Sequence, residues 1–309
     1  EHDWLVRTLF AYDLVGLQSD ADVAHFSRYV GTETSADILG EHEFRAFGKT
    51  LQVQAFPIGI DVDEFQALGQ GRESQEMYAQ MKGEYSRRRL LLGVERMDYS
   101  KGLPQRLKTF RHLLQTYPEN VGSATLIQIA APSRESVDAY AALRQELESL
   151  CGAINGNFGE LDWMPVRYIH RNVARKRLPG LYRAASVALV TPLRDGMNLV
   201  AKEFVVAQDP DDPGVLVLSR FAGAAEQLAE YEGTFAIRPE FKIRMFVEGG
   251  KLMTQATNQP AIQIYPGEEA DHFFLKVVEA RLRFNRGTDG EITSLTLFQG
   301  GREIDGTKE

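Results

Sequence analysis

The chain has 309 residues with 43 acidic and 35 basic side chains, and its net charge of −8 argues against a general nucleic-acid binder, which carries a basic surplus. Its composition, 43% apolar and 25% charged, is that of an ordinary soluble protein with room for two or three domains. Cys151 is the only cysteine, so no intramolecular disulfide is available, and no apolar run reaches the roughly 18 residues of a membrane span. No signal-peptide pattern opens the chain, which makes a cytoplasmic location the expectation. Its first residue is Glu1 rather than Met, as in a fragment or a processed product.

In chain order, YDLVGLQ (12–18) predicts a buried strand, and SDADVAHFSRYV after it opens on a Ser or Asp cap and continues as a helix carrying His25. LQVQAFPIGID (51–61) alternates in polarity until Pro57 and Gly59, as a strand ending in a turn does. RRLLLGVER (88–96) predicts a central strand, with a helix over 103–117 behind it. ATLIQIAAP (124–132) is another strand, and SVDAYAALRQELESLCGAIN (136–155) a long amphipathic helix. PVRYIHR and SVALVTP are strands, 198–208 is helical, and GVLVLSR (214–220) is the last strand of the series. Short apolar strands alternating with helices predict an α/β fold with a parallel Rossmann-like sheet covered on both faces. At about residue 230 the texture changes. GTFAIR, FKIRMFVEGGKLMTQAT, AIQIYPG, FFLKVV, ARLRFNR and ITSLTLFQGGREI alternate in polarity between Gly-Gly, Asn-Gln-Pro, Pro-Gly and Asp-Gly turns. Residues 231–309 are therefore expected to form a separate, small, antiparallel all-β module.

Several common signatures fail. FGKT (47–50) ends like a phosphate-binding loop, but Glu43 stands where the required glycine should be. GQGRES (69–74) starts like a dinucleotide fingerprint and ends on Ser74 with no strand before it. The six histidines are scattered, so no dedicated metal site is expected, and no Ser-x-x-Lys or Gly-x-Ser-x-Gly nucleophile occurs.

What survives lies just past two predicted strands. Glu95-Arg96-Met97-Asp98-Tyr99-Ser100-Lys101-Gly102 follows LLLGV, and Leu193-Arg194-Asp195-Gly196-Met197-Asn198 follows VALVTP. In a parallel sheet both loops leave the carboxyl edge, where open α/β sheets bind ligands. Arg96 and Lys101 bring two cations. The second loop brings Asp195, a flexible glycine and a helix start whose free N–H groups and dipole attract phosphate oxygens. Two cations and a helix start suffice to hold a diphosphate without a metal, as a nucleotide-sugar transferase requires when its leaving group is a nucleoside diphosphate. Glu203, one turn further on, suits ribose hydroxyls. Plainer readings stand beside these: Arg96 and Lys101 as surface charges, Asp195-Gly196 as an ordinary turn, Lys202 as a solvated helix residue, Trp163 as core packing, and His170 as a core-edge histidine.

The stretches ERMDYSKGLPQRL, QIAAPSRESVDAY, INGNFGELDWMPVRYIHR and VALVTPLRDGMNLVAKEFVVAQDPDDPGVLVLSRFAGAAEQL resemble the trehalose-6-phosphate synthase family, densely over residues 1–229. The resemblance implies a retaining glycosyltransferase of GT-B architecture that moves glucose from UDP-glucose to glucose 6-phosphate. It implies no cofactor and no essential metal, with the leaving phosphate assisting deprotonation of the acceptor hydroxyl. By position, Arg96 and Lys101 then grip the donor diphosphate as the catalytic pair, and Asp195 contacts the donor glucose with backbone groups of Gly196, Met197 and Asn198. Leu199 and Val200 face the phosphates at the helix start, Glu203 binds the ribose, and Val173 lies by the uracil. Arg134, in PSRE, matches an arginine of the acceptor's phosphate.

The resemblance is partial. Residues 1–65 correspond to the tail of the family's first Rossmann half with a linker, and 66–230 to a shortened donor-binding domain. The acceptor-binding residues of the first half, including a histidine, have no counterpart. After AGAAEQL the remaining strand and helices of the second half are replaced by 231–309, which resembles the β module appended to serine hydrolases of the β-lactamase and penicillin-binding type. Strands left uncovered where the second half is shortened are expected to favour self-association. Two other functions fit the same residues: a nucleotide-sugar binding protein without catalysis, and an interaction protein working through the β module.

Overall fold

The computed structural model describes residues 2–133, 138–225, 231–248, 251–266, 271–287 and 291–309. The first unit runs α1 (His2–Leu9), β1 (Leu14–Leu17), α2 (Asp20–Glu33), β2 (Asp37–Gly40), β3 (Glu43–Ala46) and β4 (Lys49–Ala55). Its sheet has the order β1-β4-β3-β2, with β1 parallel to β4 and the rest antiparallel. Ser19 caps α2 by accepting from the Asp22 amide. Val6, Phe10, Val23, Val30, Leu51 and Val53 form the core beneath. The β2–β3 hairpin was not visible in the sequence pattern, because its strands are short and mostly exposed. Phe47 and Gly48, the two residues joining β3 to β4, both have positive φ (53° and 73°). FGKT is thus a tight hairpin turn running into a strand, not a strand-to-helix phosphate loop.

Two helices, α3 (Val62–Gln70) and α4 (Arg72–Glu84), lead into the second unit, and neither was anticipated from the sequence. Then follow β5 (Arg89–Arg96), α5 (Leu103–Thr116), β6 (Ala124–Ala131), α6 (Asp138–Phe158), β7 (Val166–Ile169), α7 (Leu178–Ala184), β8 (Val187–Val190), α8 (Leu199–Ala207) and β9 (Val215–Leu218). All five strands are parallel, in the order β7-β6-β5-β8-β9. Helices cover both faces, as the apolar strands demanded. On one face α5 and α6 pack through Leu107, Phe110, Leu114, Leu147 and Ile154. On the other, Phe65, Met81, Leu181, Tyr182 and Phe204 meet Leu90 and Leu92 of β5. Trp163 is buried in the first of these layers and donates to Thr125 Oγ1 at 2.9 Å, which settles it as core. Among the described residues β9 is a terminal strand of this sheet, and its Val217 is 41% exposed.

The third unit is a closed barrel of β10 (Gly233–Arg238), β11 (Phe241–Glu248), β12 (Lys251–Ala256), β13 (Ile262–Pro266), β14 (His272–Leu275), β15 (Ala280–Arg286), β16 (Ile292–Gln299) and β17 (Arg302–Lys308). Each strand pairs antiparallel with the next, and β17 closes on β10 through Phe235–Lys308 and Ala236–Thr307. Phe235, Met245, Leu282, Phe284 and Leu295 fill the interior. Closure removes the free edges that an open sheet of this size would carry. No described helix is long and apolar enough to cross a membrane.

Leu147 is fully buried between α5 and the sheet. Leu147→Ala is expected to lower the stability of this unit by about 3 kcal/mol, through lost burial and the residual cavity. Urea denaturation followed by the fluorescence of buried Trp163 measures it, and an unchanged midpoint would contradict the packing described.

Candidate functional site

From β5 the chain winds outward through β6 to β7, then crosses back to β8 on the other side. The loops after β5 and β8 therefore diverge from neighbouring strands, the switch point at which open α/β sheets bind ligands. After β5, Asp98 caps a short 3₁₀ turn (Tyr99–Lys101) by accepting from the Ser100 amide at 2.9 Å, and Tyr140 Oη donates to its other oxygen at 2.8 Å. Partial burial alone would push the Asp98 carboxyl up, but these hydrogen bonds and the nearby Lys101 charge hold it below its ordinary value. Gly102 then turns the chain into α5 with φ of 65°.

The two loops are sewn together. The amides of Leu193 and Arg194 both donate to the Ser100 carbonyl, at 2.8 and 3.3 Å. Lys101 Nζ lies 2.6 Å from Asp195 Oδ2, each side chain 14% exposed. The same oxygen accepts from Asn198 Nδ2 at 2.9 Å, while Asn198 Oδ1 caps α8 by accepting from the Ala201 amide at 3.2 Å. Asn198 has φ of 75°, a region where asparagine is among the few non-glycine residues at ease. A cation, an anion and an open helix start thus converge within one hydrogen-bond chain.

Beside them lies a cavity of about 210 Å³ lined by Arg96, Val173, Tyr182, Val200 and Glu203 among others. That volume is below the roughly 300 Å³ of a typical small-molecule pocket, so it would enclose only part of an extended ligand. Tyr182 Oη donates to Glu203 Oε2 at 3.2 Å. Burial raises the Glu203 carboxyl above its ordinary value, with the Tyr182 hydrogen bond and the Arg175 charge opposing it. A larger depression, lined by Asn155, Leu161, Trp163 and Arg167, sits where α6 returns to the start of β7, at the opposite edge of the sheet.

The structure brings most of the residues singled out in the sequence to this one edge. Arg96 is exposed on the cavity rim, Lys101 and Asp195 are paired, and Gly196 is exposed beside the Gln18 side chain. Met197 buries its side chain against Val190 and Ala201, and its carbonyl accepts from the Ala224 amide. Leu199 and Val200 form the first turn of α8, with Glu203 in the second. Arg134 lies outside the described residues. Lys202 departs from its expected solvated state: Nζ donates to the Ile58 carbonyl at 2.8 Å, and burial lowers its pKa. It ties α8 to the end of the first unit. His170 is a core-edge residue, its Nδ1 2.9 Å from the Ala130 carbonyl. Sequence reasoning missed Arg106 and Gln128, both buried beneath the loops. A signal for them existed: an arginine on the apolar face of α5 and a glutamine in the middle of a mostly apolar strand.

The glycosyltransferase family 20 profile matches residues 2–239, and a domain of unknown function (DUF3471) matches residues 222–308. The chain is 46% identical over 227 residues to the trehalose-6-phosphate synthase of Klebsiella pneumoniae, covering 74% of this chain and 48% of that protein. It is 43% identical over 238 residues to that of Sinorhizobium fredii, covering 77% of this chain and 51% of that protein. It thus spans about half the length of the relatives it matches. Among solved structures, a UDP-forming α,α-trehalose-phosphate synthase from Burkholderia xenovorans in complex with glucose-6-phosphate superposes with a TM-score of 0.70 at 44% identity, covering 74% of this chain and 51% of that one. An E. coli structure bound with UDP-2-fluoro glucose gives 0.70 at 43%, with the same coverage.

The closeness of the two loops is open to test at Gly102, where a Cβ would stand 2.5 Å from the Thr191 carbonyl. Gly102→Ala adds that clash to a left-handed backbone, and a loss of about 1–3 kcal/mol is expected. A thermal or urea midpoint equal to that of the unmodified protein would mean that the loops do not pack in this register.

Proposed function

Because the chain belongs to glycosyltransferase family 20, we propose that it carries the donor half of a retaining glucosyltransferase that passes glucose from UDP-glucose to glucose 6-phosphate, forming trehalose 6-phosphate without a metal. The observation that carries this reading is the convergence, across 94 residues of chain, of Lys101, Asp195 and the Asn198-capped start of α8. The names and bound ligands of the relatives support the choice of substrates.

In this reading Arg96 and Lys101 hold the diphosphate, and the amides at Leu199 and Val200 add donors at the positive end of α8. Lys101 is kept in place by Asp195, which in turn faces the glucose hydroxyls together with the backbone of Gly196, Met197 and Asn198. Glu203 accepts from the ribose, and Val173 borders the uracil in the adjoining cavity. The bond from glucose C1 to the phosphate oxygen breaks, a bond from C1 to the acceptor oxygen forms on the same face, and the acceptor proton passes to the leaving phosphate. Donors already fixed at that phosphate stabilise the charge that develops on it. Arg134 is assigned to the acceptor's phosphate. Residues 1–65 correspond to the end of the family's first half and its linker, 66–230 to the donor domain, and 231–309 to an accessory module. Action in the cytoplasm and self-association through open sheet edges belong to the same proposal.

Calorimetric titration of UDP-glucose tests the reading. Saturable binding is expected, and the Arg96→Ala/Lys101→Ala double variant should bind at least about 100-fold more weakly, since charge-assisted hydrogen bonds contribute roughly 1.5–3 kcal/mol each. Binding without trehalose 6-phosphate formation would favour a nucleotide-sugar binding protein. No binding by the folded chain would remove the donor reading and turn attention to the β module.

A second expectation concerns pH. The Glu203 carboxyl is raised by burial, and the ribose contact needs its charged form. UDP affinity should therefore be complete above the raised pKa and fall as pH drops through it, at a higher pH than the ordinary glutamate value of about 4.3. Glu203→Gln should bind roughly tenfold more weakly and lose this step, leaving only the ligand's own phosphate titration. Identical pH profiles for the two proteins would exclude Glu203 from the site.

A further inference from the structure

Under the two loops lies a charged cluster that none of the proposed ligand contacts uses. Arg106 is 3% exposed on the inner face of α5. Its Nη2 donates to Glu95 Oε1 at 2.8 Å, its Nη1 to Gln128 Oε1 at 3.0 Å and its Nε to Thr191 Oγ1 at 2.9 Å. A longer contact of 3.5 Å runs from Nη2 to the Lys101 carbonyl. Gly93 leaves the room for this, since a Cβ there would stand 2.5 Å from both Arg106 Nη1 and Gln128 Oε1. The four acceptors belong to four different places: the end of β5, the middle of β6, the residue just past β8, and the 3₁₀ turn that carries Lys101.

As a stabilising device the cluster is poor. A buried ion pair is often no better than apolar residues of the same shape. Glu95 also leaves Oε2 without a hydrogen-bond partner, a further desolvation cost. What the planar fork supplies, and apolar packing would not, is a fixed distance between the roots of the two loops. Thr191 starts the loop that presents Asp195, and the Lys101 carbonyl belongs to the loop that presents the ammonium.

We propose that Arg106 is a positioning residue: bonded to Thr191 and lying against the Lys101 carbonyl, it sets the separation of the two loops and hence the reach of Lys101 and Asp195, without touching substrate. The effect on ligand binding rests on the donor-site reading above; the effect on loop separation stands apart from it. Glu95 and Gln128 hold the guanidinium from below, and Thr191 is the point at which it grips the second loop.

The test compares Thr191→Val, which removes only the hydroxyl acceptor, with Arg106→Lys, which keeps the charge and loses the fork. Leu147→Ala serves as a control, because it weakens the same helical layer at a position seven residues along α6 from Tyr140, which bonds to Asp98. Two readouts are taken well below the unfolding temperature: hydrogen exchange of the Leu193 amide, which donates to Ser100 across the loops, and the affinity for UDP. Both substitutions should speed Leu193 exchange about tenfold or more while the β6 amides keep their protection, and should weaken UDP binding about tenfold. Leu147→Ala should leave UDP affinity unchanged. Unaltered Leu193 exchange in Thr191→Val overturns the proposal, as does faster exchange with unaltered UDP affinity. If the unmodified protein binds no UDP, it is the donor reading that has failed, and the Leu193 exchange alone decides the positioning role. Should Arg106→Lys fail to fold, Thr191→Val still decides it.

Discussion

The parallel pairing of β5 with β8 is the constraint on which the site depends. These strands are consecutive in space yet separated in sequence by two strands and three helices, and their register aligns Leu91 with Val187 and Leu92 with Ala188. With that register fixed, the loops beyond the two strands start side by side. Lys101 and Asp195 then meet at 2.6 Å with little freedom left to either. A slip of one residue in either strand would turn its side chains to the opposite face of the sheet and separate the pair. The fold thus fixes the relative orientation of the two charges through the backbone alone, and such orientation is what the donor-site proposal draws on.

Pairing alone would leave an awkward electrostatic object. Two opposite charges mostly withdrawn from water gain by their attraction only if their remaining bonding capacity is met. Asn198 meets it for Asp195, and in doing so begins α8, so that one asparagine fixes the anion and opens the helix. The cation is also the member best placed to exchange partners. On the donor-site proposal, a phosphate oxygen would share Lys101 while Asp195 keeps Asn198 and turns its free capacity to sugar hydroxyls.

The parallel sheet was legible because strands buried on both faces leave continuous apolar runs, as LLLGV and VALVTP do. That Lys101 and Asp195 lie at one edge of the sheet was legible because each follows an apolar strand of a parallel sheet, whose loops leave on the same side. The β2–β3 hairpin and α4 were not, since short exposed strands and a helix of mixed polarity carry little periodic signal, whereas α3 carried a start signal in Asp61 and Glu64 that the strand-and-turn reading of 51–61 passed over. Closure of the barrel was hidden for a different reason. Alternation shows each strand, but the pairing of Phe235 with Lys308 joins its two ends, and nothing local to either encodes it. Arg106 stood in plain sight inside ERMDYSKGLPQRL; only the structure shows that its neighbours are polar and belong to both loops.

The three units differ in how they treat their edges, and the difference bears on how the chain works. Among the described residues the barrel pairs its last strand with its first and leaves no strand edge unpaired. Within the same residues the two α/β sheets are open: β1 ends one with Leu14 exposed, and β9 ends the other with Val217 exposed. Around the first of them Trp4, Tyr12, Phe47, Phe56 and Ile58 are exposed as well, an apolar density that a monomer normally covers. The contacts between the first unit and the site run through the Ile58 carbonyl to Lys202, through Gln18 beside Gly196, and through Asp22, 3.5 Å from Arg194. The first unit therefore bears directly on the loop that presents Asp195 and on α8, so that the position of the anion depends on a segment more than a hundred residues away in sequence.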